Sequence, residues 1–380
     1  MRIMMLSNAP WAPSGYGQQS RIFLPRLADL GHEMAVTCFY GLEGGTINMG
    51  KFICFPRAGH LYGNDIIAQH TLHFGADIMM SLMDTWVMNP DEYPKSMRWV
   101  PWYPVDHEPL PNIIRAKISL AYRRITFSKF GVKMTHEAGL DCTYIPHGIE
   151  TDIFKPMDKK KCREFLGLPQ DKYIVGTVAM NKGNYPSRKC LVEMLEAFTE
   201  FHKRHPDSAY LMQTSRGEGD PQMINIPELL KFLGLVEGVD VLFPDQYQLY
   251  MGYPVDFMAQ LYNAMDVHLI TTRGEGFGIP TLEAQACGVP VICGGWTATR
   301  ELFFTGQMLD PIEDAEREYT GLASYNYRPH VGAIIDAMEE EFNHPSDGSI
   351  GVEKAKEYDA DLITQKYWKP VLAEIEEGLK

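Results

Sequence analysis

Two glutamates with seven residues between them, Glu275 and Glu283, bracket the turn Gly276-Phe277-Gly278-Ile279-Pro280-Thr281-Leu282. A carboxylate repels phosphate but accepts hydrogen bonds from hydroxyls, and a sugar or ribose diol supplies those in pairs. The run Val267 to Ile270 upstream reads as a buried strand, and Ala284 to Cys287 downstream as the start of a helix. Pro280 suits the first turn of that helix, where its missing N–H costs nothing. A helix N-terminus offers unpaired N–H groups and partial positive charge to an anion. Gly276 and Gly278 let a ligand approach the backbone closely. Phosphate on these amides, with hydroxyls on both acids, describes a sugar nucleotide. The plainer reading is a helix in which Glu283 favours the dipole; the whole string in its context outweighs it.

Two phosphates need more positive charge than amides supply, and Arg188-Lys189 at the end of the loop Asn181 to Ser187 can provide it. Cations are unfavourable at the start of the helix expected from Arg188 to about His205, so their presence there points to function. A second polar cluster, Asp106-His107, follows the expected strand Trp99 to Val105 and is stiffened by Pro104, Pro109 and Pro111. It reads as a catalytic loop, or as an Asp that caps the next helix. A third feature, Gly15-Tyr16-Gly17, lies between an expected strand at 2–7 and a helix from Gln18 to Leu30. With no third glycine at the right spacing it is not a dinucleotide fingerprint.

In the context EGFGIPTLEAQACGVPVI, Glu275 and Glu283 resemble the E-x7-E motif of GT-B glycosyltransferases of the GT4 (retaining, group 1) family. The resemblance extends through Thr126 to Phe130, Tyr144 to Ile149 and Asp152 to Pro156. It implies that Glu275 contacts the donor sugar and Glu283 the nucleotide ribose, while the amides of Gly276, Phe277, Gly278 and Ile279 hold sugar and phosphate. It implies a glycine-rich loop at Gly15 and Gly17 facing the donor phosphates, and His147-Gly148 at an interdomain cleft. Family members place an Arg/Lys pair against the diphosphate, usually with the Arg at the strand end. This chain has Met180 and Asn181 there, so Arg188 and Lys189 are the choice and Lys182 stays in doubt. Either a His or an Asp touches the donor sugar after the equivalent of the 99–105 strand, which leaves Asp106 and His107 both open. The implied reaction is hexosyl transfer from a nucleotide sugar with retention at the anomeric carbon, without metal or other cofactor. The donor phosphate takes the acceptor proton, and Arg188, Lys189 and the turn amides stabilise the leaving diphosphate.

These groups need a scaffold. Strand and helix signals alternate through Met34 to Phe39, Asp77 to Leu82, Tyr173 to Val178, Tyr210 to Gln213, Val239 to Phe243 and Val289 to Cys293. The expected fold is α/β, of the GT-B type: two Rossmann-like domains facing across a cleft, with a C-terminal helix returning to the first. The expected domains are 1–156, acceptor-side, with 361–380 packing back on it, and 157–360, nucleotide-sugar-binding. A helix from Asp361 to Leu379 would supply the return, with Asp359-Ala360-Asp361 as its cap.

Composition narrows the alternatives. The chain has 380 residues, 45% hydrophobic and 22% charged, as globular proteins do. No apolar run reaches the ~18 residues of a membrane span. The first eight residues read as a strand rather than a secretory core, so a cytoplasmic location is expected. Seven scattered cysteines fit reduced thiols better than disulfides or zinc, and His70-x-x-His73 and His202-x-x-His205 lack further ligands. A net charge of −14 argues against a broad nucleic-acid footprint. One segment departs from this balance: Pro109 to His136 holds six basic residues and no acidic one, with Ile114, Ile118, Ala121 and Ile125 at helical spacing. It reads as an amphipathic helix with a solvated basic face, or as a weak peripheral membrane or anionic-acceptor surface. The acceptor is open among glycan, lipid, protein and modified nucleobase in DNA. The same fold hosts sugar-nucleotide epimerases, and a non-enzymatic nucleotide-binding module is a third reading.

Overall fold

The computed structural model describes residues 1–183 and 185–380; Asn184, within the loop expected from Asn181 to Ser187, lies outside the described residues. The chain divides into two units: Met1–Glu150 with Thr320–Ser324 and Tyr358–Lys380, and Thr151–Tyr319 with Tyr325–Glu357.

The first unit is built on eight strands: β1 (Arg2–Asn8), β2 (Glu33–Tyr40), β3 (Ile47–Asn48), β4 (Phe52–Pro56), β5 (Ile78–Leu82), β6 (Trp99–Tyr103), β7 (Ile125–Thr126) and β8 (Thr143–Tyr144). Their order is β3-β4-β2-β1-β5-β6-β7-β8, and only β3 runs antiparallel to its neighbour. Six of the seven β1 residues are buried, because a central parallel strand is covered on both faces. The chain leaves β1 for β2 and later returns to β5 on its other side, so the β1 and β5 carboxyl ends flank a switch point.

The second unit holds β9 (Tyr173–Val178), β10 (Ser208–Gln213), β11 (Val241–Leu242), β12 (Val267–Ile270), β13 (Val291–Gly294) and β14 (Gly306–Leu309). All are parallel, in the order β11-β10-β9-β12-β13-β14. Here the switch point lies between β9 and β12. A two-stranded antiparallel hairpin, β15 (Ala315–Tyr319) and β16 (Tyr325–Pro329), follows β14.

The tail is helical over Ala360–Ile363, widens to a π-type turn at Thr364–Trp368, and resumes at Lys369–Gly378. Pro370 has no N–H to give the preceding turn, which accounts for the widening. Asp359 caps this run, accepting from the Asp361 and Leu362 amides at 3.0 and 3.2 Å. Trp368 is fully buried, its ring 4.9 Å from Trp102 and 6.1 Å from Phe23.

The long helix expected across Ile114 to Ile125 is broken. It spans only Asn112–Ile118, and Ile125 sits in β7, paired with Trp102 of β6 and Thr143 of β8. The β-branched and aromatic run Ile125-Thr126-Phe127 gains more from sheet pairing than from continuing a helix. Among the described residues, no helix is long and apolar enough to cross a membrane.

Candidate functional site

The turn after β12 enters the helix Ile279–Ala286 through Gly278, whose φ of +102° is a conformation that glycine adopts at little cost. A Cβ there would also meet the Thr299 methyl at 3.3 Å. Among the described residues no side chain caps this helix, and Pro280 sits in its first turn. The helix therefore begins earlier than Ala284, and Glu283 falls in its second turn rather than the first. Glu283 is buried and accepts the Tyr262 hydroxyl at 2.8 Å. Burial, reinforced by the Glu283 charge, pushes the Tyr262 phenol far above its ordinary range, so it stays a donor.

Glu275 is held from every side. Its N–H donates to Thr297 Oγ1 at 3.0 Å, and its carbonyl accepts from the Ala298 amide at 3.3 Å. Its carboxylate accepts from Lys189 Nζ at 2.6 Å and Arg188 Nη1 at 3.1 Å. Burial alone would raise its pKa, but the Arg188 and Lys189 charges outweigh that and hold it at about 2. Arg188 Nη1 also donates to the Gly274 carbonyl at 2.6 Å. The two cations lie before the helix Leu191–Arg204 rather than in it, set off by Cys190 at φ +50°. The Arg188 side chain is 43% exposed and that of Lys189 18%. Arg188, Lys189, Glu275, Gly276, Phe277, Gly278, Ile279 and Glu283 thus gather at the β9–β12 switch point.

Gly15, Gly17, Asp106 and His107 lie in the first unit. The helix Gly15–Asp29 is capped by Ser14, whose Oγ accepts from the Gly17 amide at 3.1 Å. A Cβ on Gly17 would come within 2.3 Å of the Ala12 carbonyl oxygen, so only glycine fits. Asp106 and His107 follow β6 and bond each other, with His107 Nδ1 2.7 Å from Asp106 Oδ1. Asp106 does not cap the next helix, whose cap position is Pro111.

Gln19, in the helix Gly15–Asp29, escaped the sequence reading. Gln19 bonds both backbone groups of Gly148: its amide donates to the carbonyl at 2.9 Å and its carbonyl accepts the N–H at 3.0 Å. His147 is buried against Phe127 and Trp102, with ring centroids at 4.0 and 4.6 Å, and burial holds its pKa well below 6.5. Tyr262 and the role of Arg273 were also missed. The available signal was a polar residue, Gln19, on the apolar face of a helix. Two grooves of the second unit, of about 690 and 760 Å³, are lined by none of the residues that surround Glu275. Among the described residues, no group of three His, Cys, Asp or Glu side chains is placed to hold a metal ion.

Residues 177–318 match the family described as glycosyl transferases group 1. The chain is 29% identical over 219 residues to a D-inositol 3-phosphate glycosyltransferase of Acidothermus cellulolyticus, an alignment covering 55% of this chain and 46% of that protein. It thus spans about half the length of the curated relatives it matches. The backbone superposes on sucrose-phosphate synthase from Thermosynechococcus elongatus with a TM-score of 0.75 at 17% identity, over 98% of this chain and 100% of that one. HepE of Anabaena, solved in complex with UDP and glucose, gives a TM-score of 0.66 at 17% identity, over 98% and 100% of the two chains. The two parallel α/β sheets and these superpositions show a GT-B fold, and within it residues 177–318, which carry the turn with Glu275 and Glu283, are similar to group 1 glycosyl transferases.

Proposed function

We propose that this protein is a retaining glycosyltransferase that takes a hexose from a nucleoside diphosphate sugar bound on the second unit, with the first unit carrying the acceptor. The observation that carries this reading is the sharing of one buried carboxylate, Glu275, between Arg188 and Lys189 beside a helix start that, among the described residues, no side chain caps. A diphosphate brought to that helix start competes with Glu275 for the two cations. As it takes them, the carboxylate is released to accept hydroxyls of the transferred sugar. Recognition of phosphate and of sugar is thereby coupled by one exchange of partners. Glu283, already oriented by Tyr262, accepts from the ribose. As the glycosidic bond breaks, charge builds on the leaving diphosphate, and Arg188, Lys189 and the turn amides stabilise it. In the first unit, His107 Nδ1 lies 2.7 Å from Asp106 Oδ1, so each of these side chains fixes the other. A uridine nucleotide with glucose, as in HepE, is the first donor to try.

The test is Glu283→Gln. Binding of the preferred member of a UDP-, GDP-, ADP- and dTDP-glucose panel is expected to weaken by roughly 10- to 100-fold, the scale of a charge-assisted hydrogen bond. Unchanged affinity in a folded variant removes Glu283 from the site. Incubating donor alone separates transfer from epimerisation, because only an epimerase returns a changed sugar without acceptor.

A further inference from the structure

The hairpin β15–β16 had no place in the sequence reading, yet it is tied to the turn that carries Glu275. Arg273 opens that turn and is almost wholly buried, its side chain 5% exposed. Its guanidinium faces two carboxylates: Glu193, at 3.5 Å from the first turn of the helix Leu191–Arg204, and Glu318 of β15. Glu318 is a bridge, since its other oxygen accepts from Arg328 Nε of β16 at 2.8 Å. The backbone of Arg273 is used at both ends. Its N–H donates to the Arg188 carbonyl at 2.8 Å, and its own carbonyl accepts from the Tyr327 amide of β16 at 3.0 Å. Tyr327 also stacks on Trp296, ring centroids 5.5 Å apart and planes at 22°. Trp296 adjoins Thr297, the residue that holds the Glu275 amide. The hairpin therefore grips both flanks of the turn, Arg273 before Glu275 and Trp296 beside its anchor.

A buried ion pair is a weak route to stability, because desolvation offsets most of the attraction. Its geometric effect is larger: Arg273 cannot shift without moving the Arg188 carbonyl, and the Arg188 side chain reaches Glu275. We propose that the hairpin is a positioning element for donor binding, in which Glu318, acting through Arg273, sets the distance between Arg188 and Glu275. Glu318 itself need not touch the donor. This inference rests on the donor-site reading above.

The experiment measures dissociation constants by calorimetry for wild type, Glu318→Gln, Glu316→Gln and Arg273→Lys, with whichever of UDP-, GDP-, ADP- and dTDP-glucose binds wild type most tightly. Melting temperatures are recorded in parallel. Glu318→Gln is expected to lose about tenfold in affinity at a temperature where it is fully folded. Glu316→Gln, whose carboxylate is bonded to Arg328 alone among the described contacts, stays within twofold of wild type. Arg273→Lys, which keeps the charge and loses the fork, falls between them. A hairpin that only stabilises the fold lowers the melting temperature of Glu318→Gln and leaves its affinity within twofold, and that result overturns the proposal. If Glu318→Gln does not fold, wild-type affinity in Arg273→Lys overturns it instead. If wild type binds none of the four, the donor-site reading fails and this inference goes with it; failure of the variants alone leaves that reading intact.

Discussion

The loops after β1 and after β12 are built to the same plan and finished differently. Each follows a buried parallel strand at a switch point, and each enters a helix through glycines. After β1, the Ser14 hydroxyl occupies the first-turn amide of Gly17, and Gly17 is required because the Ala12 carbonyl oxygen leaves no room for a Cβ. After β12, Gly278 supplies backbone geometry but no cap, and two cations converge on the carboxylate beside it. A helix start closed by its own side chain has met much of its hydrogen-bonding demand. A helix start left uncapped beside cations suits an anion. Glycine content alone does not separate the two; the chemistry of the residues around it does.

Four measurements would sharpen or break that contrast. The largest effect is expected from Lys189→Met, which removes a cation from the second loop: turnover should fall by roughly 10²- to 10³-fold, the scale for losing one donor to a developing oxyanion. Loss below fivefold would assign Lys189 to folding alone. Next comes the acid limb of stability. The Glu275 pKa is depressed to about 2 in the folded chain, against about 4.3 unfolded. Its contribution, up to about 3 kcal/mol, is therefore complete above pH 4.3 and is lost as pH falls toward 2. Denaturant titrations of wild type and Glu275→Gln from pH 7 to 2.5 should show a steeper acid loss in wild type; parallel curves would contradict the ion-pair geometry. Gly278→Ala should cost about 1–2 kcal/mol from the left-handed backbone, visible as a lower urea midpoint, and should weaken donor binding as well. Smallest is Ser14→Ala: about 1 kcal/mol of stability lost with the cap, and donor affinity within twofold of wild type. A larger loss of donor affinity in Ser14→Ala than in Gly278→Ala would reverse the assignment of the two loops.

The sheets were legible because central parallel strands read as unbroken apolar runs, and β9 and β12 match their expected limits, Tyr173–Val178 and Val267–Ile270. Three short strands were not: β3, β7 and β8 have two residues each, too few for any periodicity, and their pairing is set by neighbouring strands. At the candidate site, Glu275 and Glu283 stood out because motif and spacing are local. The partners of each were hidden for the opposite reason. Tyr262 precedes Glu283 by a whole strand, and Arg273 looks like a surface cation until β15 folds over it. The hairpin carries alternating charge and tyrosine, which reads equally as an exposed loop, and only its contact with Arg273 gives it a role.

The first unit draws on residues 1–150, 320–324 and 358–380, whereas the second lies within residues 151–357. Trp368, seated against Trp102 and Phe23, leaves the ribosome only after the whole of the second unit. The earlier-synthesised half must therefore wait, with the seat for that indole open, while the later half completes its own sheet. Maturation runs against the direction of translation, and a stop codon shortly before position 368 would damage the amino-terminal half rather than the segment next to the truncation.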